Sequence, residues 1–283
     1  MANAFQMLLD LRDNIGERFP QEEHWTDRRL LSNLNAAQDD TRLMYAKAPG
    51  DYLVTSVSVT PSSSKITLPS DCARPVYLEQ TANGYPIPFG YTVRERRVSR
   101  PVGSSSTNYV AEGYFEDLYI TINQDSFSDA CTLWYEKRIP LLSFGIAATG
   151  TGASALVLDS GNDPVFVDDH YNGAVVETMD TTAYYVKLRS TISDYTASTF
   201  TCVITGTATA ADYYGTISLL PDEAHELIVL KATVSALSKA SSSIDPKVKQ
   251  SFKMDEKDAR KELEEWLSSR NASTGRIRET GDY

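Results

Sequence analysis

The chain has 283 residues, 41% apolar and 10% aromatic, with 27 basic and 38 acidic side chains and a formal net charge of −11. Such a composition fills one large core or two modest ones without disulfide or metal staples, and its acidic balance argues against a sequence-reading nucleic-acid binder that needs many phosphate contacts. The three cysteines, Cys72, Cys131 and Cys202, are odd in number and scattered, which excludes a disulfide framework and points to a reducing compartment.

The opening MANAFQMLLDLRDN has no basic leader and is interrupted by Asp10, Arg12 and Asp13, so it reads as helix instead of signal peptide. Leu8, Leu11 and Ile15 share one face of that helix. No apolar run approaches the roughly 20 residues needed to span a bilayer, and the expectation is a soluble chain made in a cytoplasm. A second helix starts at Thr26, a good N-cap, with Trp25 before it and Leu30 placed to form a hydrophobic staple. Its buried stripe reads Leu30, Leu31, Leu34, Ala37, Thr41 and Met44–Tyr45, with Arg28, Asn33, Asp39, Asp40 and Arg42 toward water, and Pro49–Gly50 stops it.

Extended segments follow, at Leu53–Val59, Lys65–Leu68, Pro75–Gln80, Asn108–Tyr114, Asp117–Asn123 and Ala130–Lys137, separated by turn residues such as Pro69-Ser70-Asp71. They predict a small antiparallel sheet. Residues 145–153, GIAATGTGA, are small and read as a flexible boundary. Short strands are then predicted at Ala155–Leu158, Ala174–Met179, Tyr184–Leu188 and Phe200–Ile204, with Asn172-Gly173 as a type I′ hairpin signature. The stretch 141–220 carries eight acidic side chains against two basic, whereas 247–283 is nearly balanced. Separate charge and a flexible entry predict an independent inserted β module over 145–216, removable without harm to the helices. Helix resumes over about Pro221–Lys239, with Ala224, Leu227, Ile228, Val234 and Leu237 as its stripe. Ser241–Ser243 link it to a charged fourth helix, 246–269, opened by Asp245-Pro246 and keeping Phe252, Ala259, Leu263 and Trp266–Leu267 for packing. The polar remainder, 270–283, has no period and reads as a flexible tail.

Catalytic signatures are absent: no GxSxG, HExxH, Walker-type GxxxxGK or dinucleotide GxGxxG stands between strand and helix. His24, His170 and His225 are spaced for neither a triad nor a zinc site, and no cofactor is expected. Asp168-Asp169-His170 brings oxygens and an imidazole together, yet lacks a calcium-loop spacing and reads as a turn. Arg94–Arg100 is the one basic concentration and reads as a solvated loop, with DNA or an acidic surface as the alternative contact. Asn271-Ala272-Ser273 matches a glycosylation pattern by chance.

The order of the modules carries more. A short helix, a Trp25-Thr26-capped helix through Ala36-Ala37-Gln38, an extended Ile66-Thr67-Leu68-Pro69-Ser70-Asp71 with Arg74-Pro75 behind it, a strand closing Leu133-Trp134-Tyr135-Glu136, and Leu220-Pro221-Asp222-Glu223-Ala224-His225-Glu226-Leu227 opening a helix follow one another. This succession, over 5–140 and 217–269, resembles the head-to-tail adaptor (connector) proteins of tailed bacteriophages. Asp168-Asp169-His170-Tyr171-Asn172-Gly173, followed by Thr191-Ile192-Ser193-Asp194-Tyr195, resembles a β module of phage structural proteins in which a DD-x-YNG turn and an I-x-DY segment mark neighbouring strands. So long an insertion departs from ordinary adaptors.

The resemblance implies an α+β fold. An antiparallel-type helical bundle joins the N-terminal helices (1–50) to the C-terminal ones (217–269), with Trp25, Leu30, Leu34, Leu227, Phe252 and Leu263 in its core. A small antiparallel β domain (51–144), the inserted all-β module (145–216) and the tail (270–283) complete it. It also implies a structural virion protein of the neck, assembled in the host cytoplasm: a ring, expected to be a dodecamer, below the portal protein and above a tail, nozzle or stopper protein. Double-stranded DNA would pass without sequence recognition, and neither enzyme activity nor a membrane contact is expected. Tail residues Arg270, Arg276, Ile277, Arg278 and Tyr283 are the candidates for gripping the portal. The alternatives are another neck, minor tail or decoration protein and, more remotely, a cell-wall hydrolase.

Overall fold

The computed structural model describes residues 2–16, 25–48, 52–91, 113–116, 118–122, 127–162, 164–182, 184–239 and 245–274. Among them it is a mixed α and β structure with four helices and several small, mainly antiparallel sheets. The helices are α1 (Ala4–Ile15), α2 (Asp27–Lys47), α3 (His225–Lys239) and α4 (Pro246–Thr274). The chain folds as two compact units, Asp51–Arg138 and the remainder, Met1–Gly50 with Ile139–Tyr283.

The Asp51–Arg138 unit holds two sheets. The first has the order β1–β7–β3, from Val54–Val59, Cys131–Lys137 and Cys72–Gln80; the second runs β2–β6–β5–β4, from Lys65–Thr67, Tyr119–Ile122, Gly113–Glu116 and Phe89–Tyr91. Alternation buries Ile66, Leu78, Ile120, Ile122, Leu133 and Tyr135 in one cluster. Leu118, whose spacing places it in the inward row, lies in the turn before β6 and is exposed. The expected antiparallel sheet is so except at β4–β5, which pair in parallel. β3 starts three residues earlier than expected and runs through Pro75 by means of bulges, which an edge strand tolerates because its outer N–H groups need no partner.

In the other unit α3 packs against α1, α2 and α4. A helix with three neighbours must be apolar over a wide arc, and α3 buries Leu227, Ile228, Val229, Ala232, Thr233, Ala236 and Leu237. α2 buries Leu30, Leu31, Leu34, Ala37, Thr41 and Tyr45 as its spacing predicts. Asn33 departs from that prediction: it is buried, and its Oδ1 accepts from Lys239 Nζ at 2.8 Å. A polar side chain goes inside where a cation on the packing helix supplies its hydrogen bond. Asn35 also faces a partner: its Nδ2 donates to Leu142 O at 3.2 Å and its Oδ1 accepts from Leu142 N at 2.6 Å. α4 buries Leu263 and Leu267, half-buries Phe252, Ala259 and Trp266, and sets the Trp266 ring edge-on to Tyr45. It runs five residues past the expected 269, so Arg270–Thr274 are helical instead of tail.

The same unit contains the β strands from 144 onward. One sheet has the order β11–β10–β14–β8 (Val186–Thr191, Val175–Met179, Tyr213–Ile217, Phe144–Ile146) and a second β12–β13–β9 (Asp194–Thr196, Thr201–Thr207, Ala153–Val157). Residues 145–153 are not a flexible linker. Gly145 and Ile146 pair with β14, and Ala147 is buried. Gly145 is small because Asp159 fills the space a side chain would need.

Nor do residues 145–216 form a compact unit of their own. Asn3 caps α1, its Oδ1 accepting from Gln6 N at 3.0 Å, while its Nδ2 donates to Glu177 Oε2 on β10 at 2.7 Å. Its backbone bridges to Ile217, the last residue of β14. Phe5 then stacks on Tyr213, ring centroids 4.6 Å apart, and Gly215 lets α1 approach, since a Cβ there would lie 2.9 Å from Phe5 N. The helix N-terminus and the sheet thus share one set of contacts.

His225 opens α3 and is nearly as buried as the core. Its Nδ1 accepts from Ala2 N at 3.4 Å and its Nε2 lies 3.2 Å from Leu220 O. Burial pushes its pKa below the usual 6.5, against the opposing pull of Asp222. The fold therefore prefers the neutral ring, and the unfolded chain takes up the proton first as pH falls. This contribution to stability is fully present above the unfolded value of about 6.5 and is lost as pH falls toward the lower folded value. Melting temperature is expected to drop between pH 7 and pH 5, and a His225→Gln variant to lack that part of the drop. An identical pH profile in the variant would assign the acid sensitivity to other groups.

Candidate functional site

The segments that resemble the phage β module come together. Asp169 N donates to Tyr195 O at 3.0 Å, and Gly173 N donates to Ile192 O at 2.8 Å, with Ile192 N returning to Ala174 O. The Tyr171 and Tyr195 rings meet edge to face at 4.8 Å, both buried. Asp168 Oδ1 accepts from Ala197 N at 2.7 Å, and Asp169 Oδ1 from Asn172 Nδ2 at 2.9 Å. His170 Nε2 accepts from Leu141 N at 3.1 Å. Asp168, Asp169 and His170 are therefore each spent on backbone or on a neighbour, the arrangement expected of a structural turn, while Asn172 Oδ1 is buried without a partner among the described residues.

Asn172-Gly173 does not close a hairpin. The strand before it, β9, belongs to the other sheet, and the turn only delivers the chain into β10. Asp169 holds φ 64° and Gly173 φ 78°, left-handed conformations that aspartate tolerates and glycine adopts freely. Between these anchors and Pro164 the loop presents Phe166 and Val167, 75% and 56% exposed. Nothing in the sequence pattern marks this pair, since two apolar residues amid turn formers give no periodic signal.

Nucleophiles are subdued. Burial first, then neighbouring carboxylates, pushes the thiols of Cys72 and Cys131 up to about 11 and that of Cys202 up to about 12, so none is a thiolate at neutral pH. Among the described residues no three His, Cys, Asp or Glu side chains gather to hold a metal ion, and no helix is long and apolar enough to cross a membrane.

Of the expected core residues, Trp25, Leu30, Leu34, Leu227 and Leu263 are buried, and Phe252 is half-buried. Of the expected portal-gripping residues, Arg270 lies on the last helical stretch of α4. Arg276, Ile277, Arg278 and Tyr283 lie outside the described residues, as do His24 and the Arg94–Arg100 loop. A cavity of about 430 Å³ forms a groove between α2 and α4, its apolar lining Leu43, Met44 and Leu267. No protein-family model matches the chain, and neither does any curated protein.

Proposed function

We propose that this chain is a head-to-tail adaptor of a tailed bacteriophage: a virion ring subunit below the portal, joining capsid to tail and letting DNA through. In this reading the N- and C-terminal helices form the bundle, and the β segments between them serve the contacts around and below the ring. The observation that carries it is the meeting of the Asp168–Gly173 turn with the Ile192–Tyr195 segment, the relation those two motifs have in the phage module. The packing of α3 against α1, α2 and α4 supports the bundle. An acidic chain also suits a DNA passage, where phosphates must slide and not bind. Electron microscopy of the purified protein mixed with its portal tests the reading. A closed ring stacked on the portal is expected; trimers on capsid faces would identify a decoration protein instead.

The tail belongs to the same proposal. Arg276, Ile277, Arg278 and Tyr283 offer the cationic and aromatic side chains that anchor a peptide on a partner. Ordering costs about 1–2 kcal/mol per backbone residue fixed, so such an anchor works through repetition around a ring. Deleting 275–283 is expected to leave the melting temperature nearly unchanged and to weaken co-sedimentation with portal-bearing heads. The arginine share of that binding fades as salt rises. Undiminished co-sedimentation would move the docking role to α4.

A further inference from the structure

The loop that presents Phe166 and Val167 is rigid by construction. Pro164 is buried at its base. Tyr195 Oη donates to Val165 O at 2.7 Å, Val165 N donates to Tyr171 Oη at 3.4 Å, and Asp168 is tied to Ala197. Phe166 rests edge-on against Phe200, 5.0 Å between centroids. An apolar tip held this firmly has little left to lose in ordering when it binds, which is how a binding surface is prepared. Asp168 and Asp169 follow the tip directly, so the knob is apolar with acidic shoulders.

The groove between α2 and α4 has the complementary character. Its apolar lining is Leu43, Met44 and Leu267, and its charged lining is Lys47, Lys231 and Arg260 against Asp40 and Glu264. Lys231 pairs with Asp40 at 3.5 Å and Arg260 with Glu264 at 3.0 Å. Lys47 has no ion pair among the described residues, so the charged lining keeps an excess cation. A cavity of about 430 Å³ has room for a benzyl side chain with a valine beside it.

We propose that the Phe166–Val167 tip docks in the α2–α4 groove of a second copy of this chain, an interface that rests on the ring reading above and gives it a contact. The fit is apolar tip to apolar lining and acidic shoulder to excess cation. Knob and groove are different residues of one chain. Each copy that offers its knob therefore still has a groove to fill, and the association propagates until rotation closes it. An aromatic anchor buries about 150–250 Å², well short of the roughly 1,200 Å² of a stable pair. One such contact is weak alone and is held by closure, each subunit being gripped on two sides.

Two single-substitution variants of the full chain, Val167→Cys and Leu43→Cys, test this when mixed with a short bismaleimide. Both positions are exposed, and the native thiols are buried or half-buried and held protonated. Cross-linked dimer is expected from the mixture at a yield several-fold above either variant alone or the native chain. Adding Phe166→Ser to the Val167→Cys chain should cut that yield about tenfold, with only the small drop in melting temperature that losing the Phe200 ring contact brings. Lys47→Glu in the Leu43→Cys chain should lower it by a smaller factor. A yield that is the same mixed or alone, or indifferent to Phe166→Ser, overturns the interface. Closed rings by microscopy without this cross-link would overturn the interface and leave the adaptor reading standing; a chain that neither cross-links nor forms rings on its portal would overturn both.

Discussion

A chain in which residues 145–216 are replaced by a short glycine–serine loop is expected to lose cooperative folding of its helices, with circular dichroism per remaining residue falling at 222 nm. The cause lies at the start of α1. Removing β10 and β14 takes Glu177 from Asn3, a side chain with no solvent exposure, and takes Tyr213 and Tyr184 from the Phe5 ring. The bared Phe5 loses apolar burial worth about 1.5–3 kcal/mol, and the loss of the Asn3–Glu177 hydrogen bond adds about 1–3 kcal/mol. Together these are a large share of the roughly 5–15 kcal/mol that holds a typical domain. Gly215→Val probes the same seam more gently. Its added carbons meet Phe5 N, a backbone group, and Asn3 Oδ1, held by its capping bond, and overpacking of that kind costs about 1–3 kcal/mol. A deleted chain that keeps a sharp melt would make the β segment independent after all.

The second large effect is expected at the junction of α1 and α2. Arg12 is 2% exposed, its Nη2 donating to Trp25 O at 3.1 Å and pairing with Asp27 Oδ1 at the first turn of α2. Asp27 is favoured there in its own right, since the helix N-terminus carries partial positive charge. Arg12→Ala removes the donor to the Trp25 carbonyl and the cation beside Asp27. A cost of about 3 kcal/mol is expected, the low end for a broken buried pair because Asp27 stays partly in water. Trp25→Ala removes a buried indole and should cost about 3–5 kcal/mol. Thr26, whose Oγ1 accepts from Arg29 N at 3.4 Å, should cost only about 1 kcal/mol as alanine. Chemical denaturation of the three variants gives the ranking, and a Thr26 effect equal to that of Trp25 would misplace the junction.

Local patterns are legible because they rest on local physics. Thr26 and Asp245 show as caps, and Asp245 Oδ1 does accept from Lys247 N at 2.9 Å. The spacing of Leu30, Leu34 and Ala37 marks the buried face of α2, and alternation marks β6 and β7. Strand β14 escapes pattern because Tyr213–Ile217 is short and contains Gly215, a residue chosen for what packs on it. Strand β8 escapes for the same reason: Gly145 reads as flexible until Asp159 is seen against it. Tyr184 reads as strand, yet it holds φ 54° in the turn before β11.

By itself the sequence determined the four helices, the caps of α2 and α4, the inward face of α2, most strands of both units, and the order of motifs on which the adaptor proposal stands. Each of these depends on neighbours within a few residues, through hydrogen bonds to the next turn or a period of 3.6 or 2. Only the tertiary structure decided that residues 145–216 are welded to α1, that Asn33 and Arg12 are inside, and that Phe166 and Val167 stand outside. Those outcomes depend on which partner arrives from a distant part of the chain. A polar side chain is buried when Lys239 or Asp27 comes to meet it, and an apolar one stays in water when nothing does.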